Sequence, residues 1–154
     1  MQLYTFTWNP GNDWNSGPKT YEELKEHLSK FGWCETWWSA ESHRRYPTKT
    51  GRNDLAVGDK FILCKSGVSK KQAGIIGFGE ISRTFYVDEH YQDPSEKMYR
   101  VMLKFKMLDK DTPLLSSSEL SSLVGEIWNP LNKNNINKCF SNETTEHIWK
   151  LIDK

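Results

Sequence analysis

Hydrophobic and polar positions are most clearly ordered between residues 57 and 83, where two short apolar runs flank a polar loop. The runs cover residues 61–64 and 75–81 and are bounded by turn residues. Apolar runs of this length that are rich in β-branched residues predict strands. Three glycines interrupt the second run: Gly74, Gly77 and Gly79. Because glycine within a strand marks a bulge, a barrel corner or a close approach to the backbone, we expect the centre of a small barrel here, with a ligand near its glycines.

Two further strands are predicted on either side of this centre. Residues 3–7 form a short β-rich run before a Pro-Gly dipeptide, which ends a strand. Residues 99–107 alternate, with four apolar side chains on one face: Val101, Leu103, Phe105 and Met107. Residues 85–94 are expected to be a connection, and the polar stretch from residue 33 to residue 52 is expected to be irregular.

The first predicted helix covers residues 20–31. Thr20 and Glu23 have the spacing of a capping box at its start, and Gly32 ends it. Apolar residues follow at helical spacing: Tyr21, Leu24, Leu28 and Phe31. Lys25 falls on the polar part of this amphipathic helix, so we expect it to be solvated.

Two more helices are predicted in the last third of the chain. One covers residues 116–127, with a capping box formed by Ser116 and Glu119. Its buried stripe is predicted to contain Leu120, Leu123, Val124 and Ile127. The other helix covers residues 142–152 and is predicted to turn three side chains inward: Ile148, Trp149 and Ile152. A polar, asparagine-rich loop is expected between the two helices, up to Asn137.

The order of these elements predicts an α+β fold, in which a small mixed or antiparallel β-barrel is flanked by helices. The chain has 154 residues and shows no linker, repeat or low-complexity tail, so we expect one domain over residues 1–154. No apolar run approaches the roughly 18 residues of a membrane span, and the N-terminus has no signal region. These features predict a soluble, cytoplasmic protein without a membrane partner.

The residues that could carry catalysis or bind a metal are scattered along the chain. The cysteines are odd in number and far apart, at Cys34, Cys64 and Cys139, and the four histidines have no partner at metal-binding spacing. Hydrolase, phosphate-loop and zinc-protease motifs are absent from the sequence. We therefore expect no disulfide, no metal, no cofactor and no catalytic residues, and a chain that is not an enzyme by itself.

Seven tryptophans are the unusual feature of the composition. Trp8 and Trp14 flank an irregular loop, Trp37 and Trp38 lie in the polar stretch, and Trp128 follows the second helix. This surplus indicates an aromatic binding surface, with a tryptophan-rich core as the alternative. If the neighbours Trp37 and Trp38 lie in extended chain, only one of them can face a pocket. The remaining two are assigned to packing: Trp33 and Trp149.

Basic residues are concentrated next to these tryptophans. The net charge is only +1, so any attraction to nucleic acid must come from local patches. The candidate contacts to a nucleic-acid backbone are Arg44, Arg45, Lys49, Arg52, Lys70 and Lys71. Tryptophans beside a basic loop are typical of sites where bases stack and phosphates are neutralised. A surface loop whose indoles pack inward is the alternative.

Several separated segments, taken in order, resemble the EVE-like domains of the PUA superfamily. They read FTWNPGNDW at 6–14, WWS at 37–39, GDKFILCKSG at 58–67, AGIIGFGEI at 73–81 and IWNPLNKNNI at 127–136. The similarity is closest to the domains that accompany HNH-type and other modification-dependent restriction endonucleases, and it extends more distantly to YTH domains. The resemblance implies a β-barrel flanked by helices that receives one flipped-out, modified base.

The resemblance also implies where the base would bind. It places the family's aromatic pocket on Trp8, Asn9, Trp38, Ser39 and Trp128. With the neighbouring aromatic and polar residues, the candidate pocket contains Trp8, Asn9, Trp14, Trp37, Trp38, Ser39, Asp54 and Trp128. Three of these are candidates to read the polar edges of the base: Asn9, Ser39 and Asp54, the last of which could equally be a turn residue.

Three functions are compatible with these observations. The first is a reader of a modified base in DNA, 5-methylcytosine or 5-hydroxymethylcytosine, that acts as the sensor of a restriction or defence system with a nuclease domain or chain as partner. The second is a reader of modified RNA, for example of N6-methyladenosine, which the YTH likeness permits. The third is a module that binds a small molecule or another protein through its tryptophans.

Overall fold

The computed structural model describes residues 2–10, 14, 20–39, 55–69, 71–89, 97–130 and 135–153. The strands are β1 (Leu3–Trp8), β2 (Cys34–Ser39), β3 (Lys60–Lys65), β4 (Gly74–Glu89), β5 (Lys97–Leu108) and β6 (Leu115–Ser116). The helices are α1 (Tyr21–Phe31), α2 (Ser117–Val124), α3 (Ile136–Cys139) and α4 (Asn142–Ile152). In the part of the chain that is described, no helix is long and apolar enough to span a membrane.

All of these strands belong to one mixed sheet. Its order is β1-β3-β4-β5-β2, and β6 pairs with β4 beside this path. The β1–β3 pair is parallel, and the other pairs are antiparallel. The predicted α+β class is therefore confirmed, and the predicted small barrel takes the form of a mixed six-stranded sheet flanked by helices, with β1 and β2 at its edges.

The two faces of the sheet bury separate hydrophobic cores. Side chains alternate between the faces of a strand, and in β3 Phe61 and Leu63 belong to the first core whereas Ile62 and Cys64 belong to the second. The first core also contains Leu24 of α1. The second core is covered by apolar residues of the other helices: Leu120, Ile136, Ile148 and Ile152. This division decides which tryptophans can meet.

The glycines of β4 allow other strands to approach closely. A Cβ added at Gly79 would lie 1.9 Å from the carbonyl oxygen of Lys104 in β5, and the strand register shifts between Phe78 and Gly79. Gly74 has a φ of 142°, and its added Cβ would lie 2.1 Å from the carbonyl oxygen of Leu115 in β6. The bulge and the close approach predicted for these glycines are confirmed, and the protein's own strands supply the approaching backbone.

Two segments predicted to lack regular structure are strands, so those predictions are wrong. The stretch expected to be irregular contains β2, in which Trp38 lies opposite Val101 of β5. The expected connection over residues 85–94 contains the end of β4, which pairs with β5 as far as Glu89. Both segments are strands because they pair with β5 across the fold, and tertiary pairing overrides weak local β-propensity.

The predicted helix starts are confirmed by their caps. The backbone N–H of Glu23 donates to the hydroxyl oxygen of Thr20 at 3.2 Å. Ser116 and Glu119 form the full capping box, with bonds of 3.1 Å and 3.3 Å in the two directions. Each of these caps satisfies N–H groups that have no partner within the helix.

The end of α2 differs from the prediction. The helix stops at Val124 because Gly125 adopts a left-handed conformation with a φ of 75°, which is a common helix end. Ile127 therefore lies beyond the helix and is 70% exposed, so its predicted place in the buried stripe is wrong. Likewise Phe31 is 62% exposed at the end of α1.

Candidate functional site

Four aromatic side chains converge at one end of the sheet, and we call them the tryptophan cluster: Trp8, Trp14, Tyr21 and Trp38. Trp14 lies at its centre, with its ring centroid 5.1 Å from that of Trp8 and 5.2 Å from those of the other two rings. All three pairs meet edge to face, at interplanar angles between 63° and 70°. This arrangement contributes about 0.5–1.5 kcal/mol per pair beyond the burial of area.

The sheet topology explains why these rings meet. Trp8 is the last residue of β1 and Trp38 lies near the end of β2, and these two strands are the opposite edges of the sheet. Because both side chains contact Trp14, the sheet is curled enough for its edges to approach each other. Tyr21 joins them as the first residue of α1.

Two indole N–H groups of the tryptophan cluster are buried and have no acceptor among the residues that the structure describes. The Nε1 atoms of Trp8 and Trp14 make no hydrogen bond to any residue that the structure describes. A buried donor that loses its partner costs about 1–3 kcal/mol, and each such group in a native structure requires an explanation. A ligand acceptor would reach these two N–H groups only if the rings around them moved apart.

Tyr21 adds a third polar group to the cluster. Its hydroxyl oxygen accepts a bond of 3.0 Å from the backbone N–H of Lys110, which leaves the O–H free to donate. Burial raises the pKa of Tyr21, the bond from Lys110 lowers it, and the charges of Asp109, Asp111 and Glu22 raise it. The hydroxyl is therefore a neutral donor at physiological pH. The sequence pattern placed Tyr21 in an apolar stripe and gave no indication that its hydroxyl would be a hydrogen-bond donor beside the cluster.

Asn9 directly follows Trp8 at the end of β1 and lies against the loop that follows β3. A Cβ added at Gly67 would lie 2.7 Å from the side-chain oxygen of Asn9, so the two residues are in contact. The backbone N–H of Ser66 donates to the carbonyl oxygen of Trp8 at 2.9 Å. The loop after β3 therefore holds the first Trp-Asn-Pro segment in place.

Trp37 lies on the other side of β2 from Trp38. The guanidinium of Arg100 stacks over its ring at 3.7 Å, and Arg100 is only 5% exposed. The expectation that only one of these neighbours can face the cluster is confirmed, and that residue is Trp38. Trp33, which was assigned to packing, is 37% exposed with the ammonium of Lys104 at 4.8 Å from its ring centroid.

Trp128 is separated from the tryptophan cluster by the sheet. It is 4% exposed, belongs to the second core, and stacks on Phe140 at 5.8 Å with an interplanar angle of 14°. Its indole lies beside the thiol of Cys64, whose pKa is raised by burial and lowered to a smaller extent by Trp128. One edge of Trp128 lines a cavity of about 200 Å³ together with Lys65 and Asn129.

The remaining candidates are described only in part. Ser39 lies opposite Arg100 in the strand register, and Lys71 is exposed in a turn. Six candidates lie outside the described residues: Arg44, Arg45, Lys49, Arg52, Asp54 and Lys70. Among the residues that are described, no group of three or more histidine, cysteine, aspartate or glutamate side chains could hold a metal ion.

No protein-family model matches this chain, and no curated protein sequence matches it. Solved structures with a similar arrangement include a hypothetical protein of Leishmania major, at 19% identity and a TM-score of 0.44, with 79% of this chain and 74% of that chain covered. A Pseudomonas syringae protein is 16% identical, with a TM-score of 0.44 and coverages of 78% and 76%. Human THYN1, in a complex with DNA that contains 5-methylcytosine, is 16% identical, with a TM-score of 0.44 and coverages of 79% and 74%. Scores at this level do not establish a family.

Proposed function

We propose that this chain binds a modified base of DNA, 5-methylcytosine or 5-hydroxymethylcytosine, which is flipped out of the duplex into the tryptophan cluster. The observation that carries the proposal is the convergence of three indoles and a phenol around two buried indole N–H groups that have no acceptor among the described residues. Aromatic faces suit the flat faces of a base, and the donors suit its ring nitrogen and carbonyl oxygen.

The energies of flipping and stacking are of similar size. Extruding a base costs a few kcal/mol, and stacking on an aromatic side chain returns about 1–3 kcal/mol per base. Because the rings now meet edge to face, a base gains a parallel face only when one of them rotates. Trp14 contacts all three other rings, so its displacement opens the cluster.

Discrimination between modified and unmodified cytosine requires more than burial of the added group. Burying one methyl group is worth about 0.8 kcal/mol, which is roughly fourfold in affinity. A hydroxymethyl group adds a hydrogen bond worth about 0.5–1.5 kcal/mol. The two indole N–H groups and the Tyr21 hydroxyl supply donors for the ring nitrogen and carbonyl oxygen of a cytosine, and a base without these acceptors leaves the donors unpaired and is penalised. Stacking provides the affinity, the donors select cytosine over other bases, and the space left empty when the added group is missing disfavours unmodified cytosine.

The chain acts in this proposal as the sensor of a restriction or defence system in the cytoplasm. The nuclease is a separate domain or chain, because the sequence contains no recognisable catalytic motif. The resemblance to EVE-like domains supports this setting, and its more distant YTH component makes modified RNA the alternative ligand.

Titration with a panel of short duplexes at fixed salt tests the proposal. The panel carries cytosine, 5-methylcytosine, 5-hydroxymethylcytosine or N6-methyladenine, with one RNA that carries N6-methyladenosine. Tighter binding to a duplex with a modified cytosine is the expected result. Preference for the modified RNA would favour the alternative reader, and equal binding to every duplex would overturn base recognition.

A pair of variants locates the binding site within the same experiment. Trp14→Ala removes the central ring of the tryptophan cluster, and we expect it to abolish the preference for modified cytosine. Trp33→Ala removes a partly exposed indole that contacts Lys104 instead, and we expect it to keep the preference. Loss of the preference in both variants, or in neither, would show that the base binds elsewhere.

A further inference from the structure

Two lysines beside the tryptophan cluster hold half-buried ammonium groups, and we call them the lysine pair: Lys25 of α1 and Lys65 of β3. The ammonium of Lys25 donates to the carbonyl oxygen of Leu108 at 2.6 Å. That of Lys65 donates to the carbonyl oxygen of Lys110 at 2.9 Å. The two charges are thus brought to carbonyl groups only two residues apart, one at the last residue of β5 and one in the turn that follows it.

Neither member of the lysine pair has a carboxylate within ion-pair distance among the described residues. An ammonium group has three N–H donors, and one carbonyl oxygen satisfies a single donor in each case. Partly buried charges are normally paired, because removing them from water is costly. Two charges without a carboxylate partner among the described residues, and with four donors to spare, indicate a site for an anion.

Spacing on α1, strand register and a shared hydrogen-bond partner place the lysine pair beside the tryptophan cluster. Lys25 follows Tyr21 by four residues in α1, which places both on one face of the helix. Lys65 lies directly opposite Trp8 in the parallel pairing of β1 and β3. The backbone N–H of Lys110, whose carbonyl oxygen accepts from Lys65, donates to the hydroxyl oxygen of Tyr21.

Carboxylates near this turn are already engaged or exposed. Asp109 accepts from the backbone N–H groups of Asp111 and Thr112 at 3.0 Å and 3.1 Å, which shapes the turn. Asp111 has a side chain that is 76% exposed and lies 3.5 Å from the ammonium of Lys110. Glu22 is exposed at the start of α1. The charge of Lys110 is thus balanced by Asp111. The charges of the lysine pair have no such carboxylate partner among the described residues.

We propose that the lysine pair binds a backbone phosphate of the nucleic acid whose base enters the tryptophan cluster. This inference rests on the proposed function and extends it, because it assigns the charged contact next to the base to residues outside the basic loop. A phosphate is a strong acceptor with several oxygens and can take donors from both ammonium groups at once. The contact is independent of base modification, since phosphates carry no sequence information.

The salt dependence of binding tests this inference directly. The logarithm of the association constant falls with the logarithm of salt concentration in proportion to the number of phosphate contacts. Because the pair shares one phosphate, we expect the double variant Lys25→Gln/Lys65→Gln to reduce this slope by about one unit. Each single variant should reduce it by part of that and weaken binding about tenfold, the size of one charge-assisted hydrogen bond. Both modified and unmodified duplexes should be affected equally. Glutamine keeps an N–H donor for the carbonyl, and thermal unfolding checks that the fold is intact.

Matched lysines provide the controls. Lys30 lies on α1 like Lys25, but its side chain is 64% exposed and pairs with Glu26. Lys106 of β5 has a side chain that is 48% exposed and lies 3.9 Å from Asp153. Lys30→Gln and Lys106→Gln should leave the slope unchanged, and Lys65→Arg, which keeps the charge, should restore it.

The outcomes separate this inference from the proposed function. If the parent protein does not prefer modified DNA but Lys65→Gln still reduces the slope, the base assignment fails and the phosphate site stands. A slope that stays at the parent value in both glutamine variants overturns the phosphate site. The phosphate site is also overturned if either glutamine variant loses the preference for modified DNA while the salt dependence of binding stays at the parent value. That lysine would then contact the base.

Discussion

The same three residues, Trp-Asn-Pro, occur twice in this chain with opposite surroundings. At residues 8–10 the tryptophan ends an edge strand, is half-buried, and holds a buried N–H without an acceptor among the described residues. At residues 128–130 the tryptophan is 4% exposed and stacked on Phe140 beside the thiol of Cys64. The motif by itself therefore does not identify a binding tryptophan. Its neighbours across the fold decide whether the ring is packed or presented to a ligand.

The largest expected effect is the loss of stability when Trp128 of the second motif is truncated, compared with truncation of Trp14, which packs on the tryptophan of the first motif. Trp128→Ala leaves a cavity in the second core and should lower the free energy of unfolding by about 3–5 kcal/mol. Trp14→Ala, in the half-buried cluster, should cost clearly less. Denaturant unfolding of both variants measures the difference. Equal losses would mean that the cluster is as much a structural core as the second core is.

A smaller effect is expected at Gly67, which contacts Asn9 of the first motif. Its φ of 76° is left-handed, and a side chain there costs roughly 1–2 kcal/mol. The added methyl group also presses on Asn9. We expect Gly67→Ala to lower stability by that amount and to weaken binding of modified DNA, as measured by unfolding and titration. Unchanged binding would remove Asn9 from the site, and Gly125→Ala, with a similar φ of 75° and open space, is the control for backbone strain.

The stability of the protein at alkaline pH should depend on a different titrating residue beside each motif: Cys64 beside the second motif and Tyr21 in the tryptophan cluster. Burial raises the pKa of Cys64. The protonated thiol therefore stabilises the fold fully below the ordinary thiol pKa of 9.0, and this stabilisation is lost as the pH rises above that value. The unfolded chain releases the proton first, and stability should fall by about 1.4 kcal/mol per pH unit. Cys64→Ala should remove this decline between about pH 9 and 10. Tyr21→Phe should change the profile only above about pH 10. Unfolding at several pH values tests both, and a decline that persists without Cys64 would contradict the assignment.

Phenylalanine in place of each tryptophan removes the indole N–H and shortens the ring. In Trp8→Phe the lost donor has no partner among the described residues and the ring is only half-buried, so stability should fall less than in Trp128→Phe. Binding of the modified base should weaken by the worth of one hydrogen bond, about 0.5–1.5 kcal/mol or two- to twelvefold. Trp128→Phe should show the reverse pattern, with lower stability and unchanged affinity per folded molecule. Titration of both variants at equal folded fraction decides between these patterns.

Local signals in the sequence predicted the helix starts correctly. Ser116 and Glu119 form their capping box within four residues, and the turn after α1 depends on Gly32 alone, with a φ of 77°. Such contacts involve neighbours in the sequence, so the pattern contains all the information that they need. Ile127 was assigned to the helix wrongly because Gly125 was not recognised as its end.

Long-range pairing decided what the local pattern could not. β2 and the end of β4 are strands because β5 provides partners for them, for example Trp37 opposite Met102. Lys25 was expected to be solvated, yet it donates to a carbonyl 83 positions away in the sequence. Tyr21 was missed for the same reason, since its partner Lys110 is 89 positions away. The sequence around Lys25 and Tyr21 contains no signal that identifies these distant partners.

The sequence by itself determined the α+β class, the caps, the central strands and the small set of residues from which a site could be built. It also required that Trp37 and Trp38 face opposite ways once their segment is extended, because side chains alternate in a strand. Only the tertiary structure decided that Trp8, Trp14 and Trp38 meet while Trp128 is packed on the other face of the sheet. The physical reason is that strand order and curl set which distant side chains become neighbours, and burial of a ring depends on those neighbours rather than on its own motif.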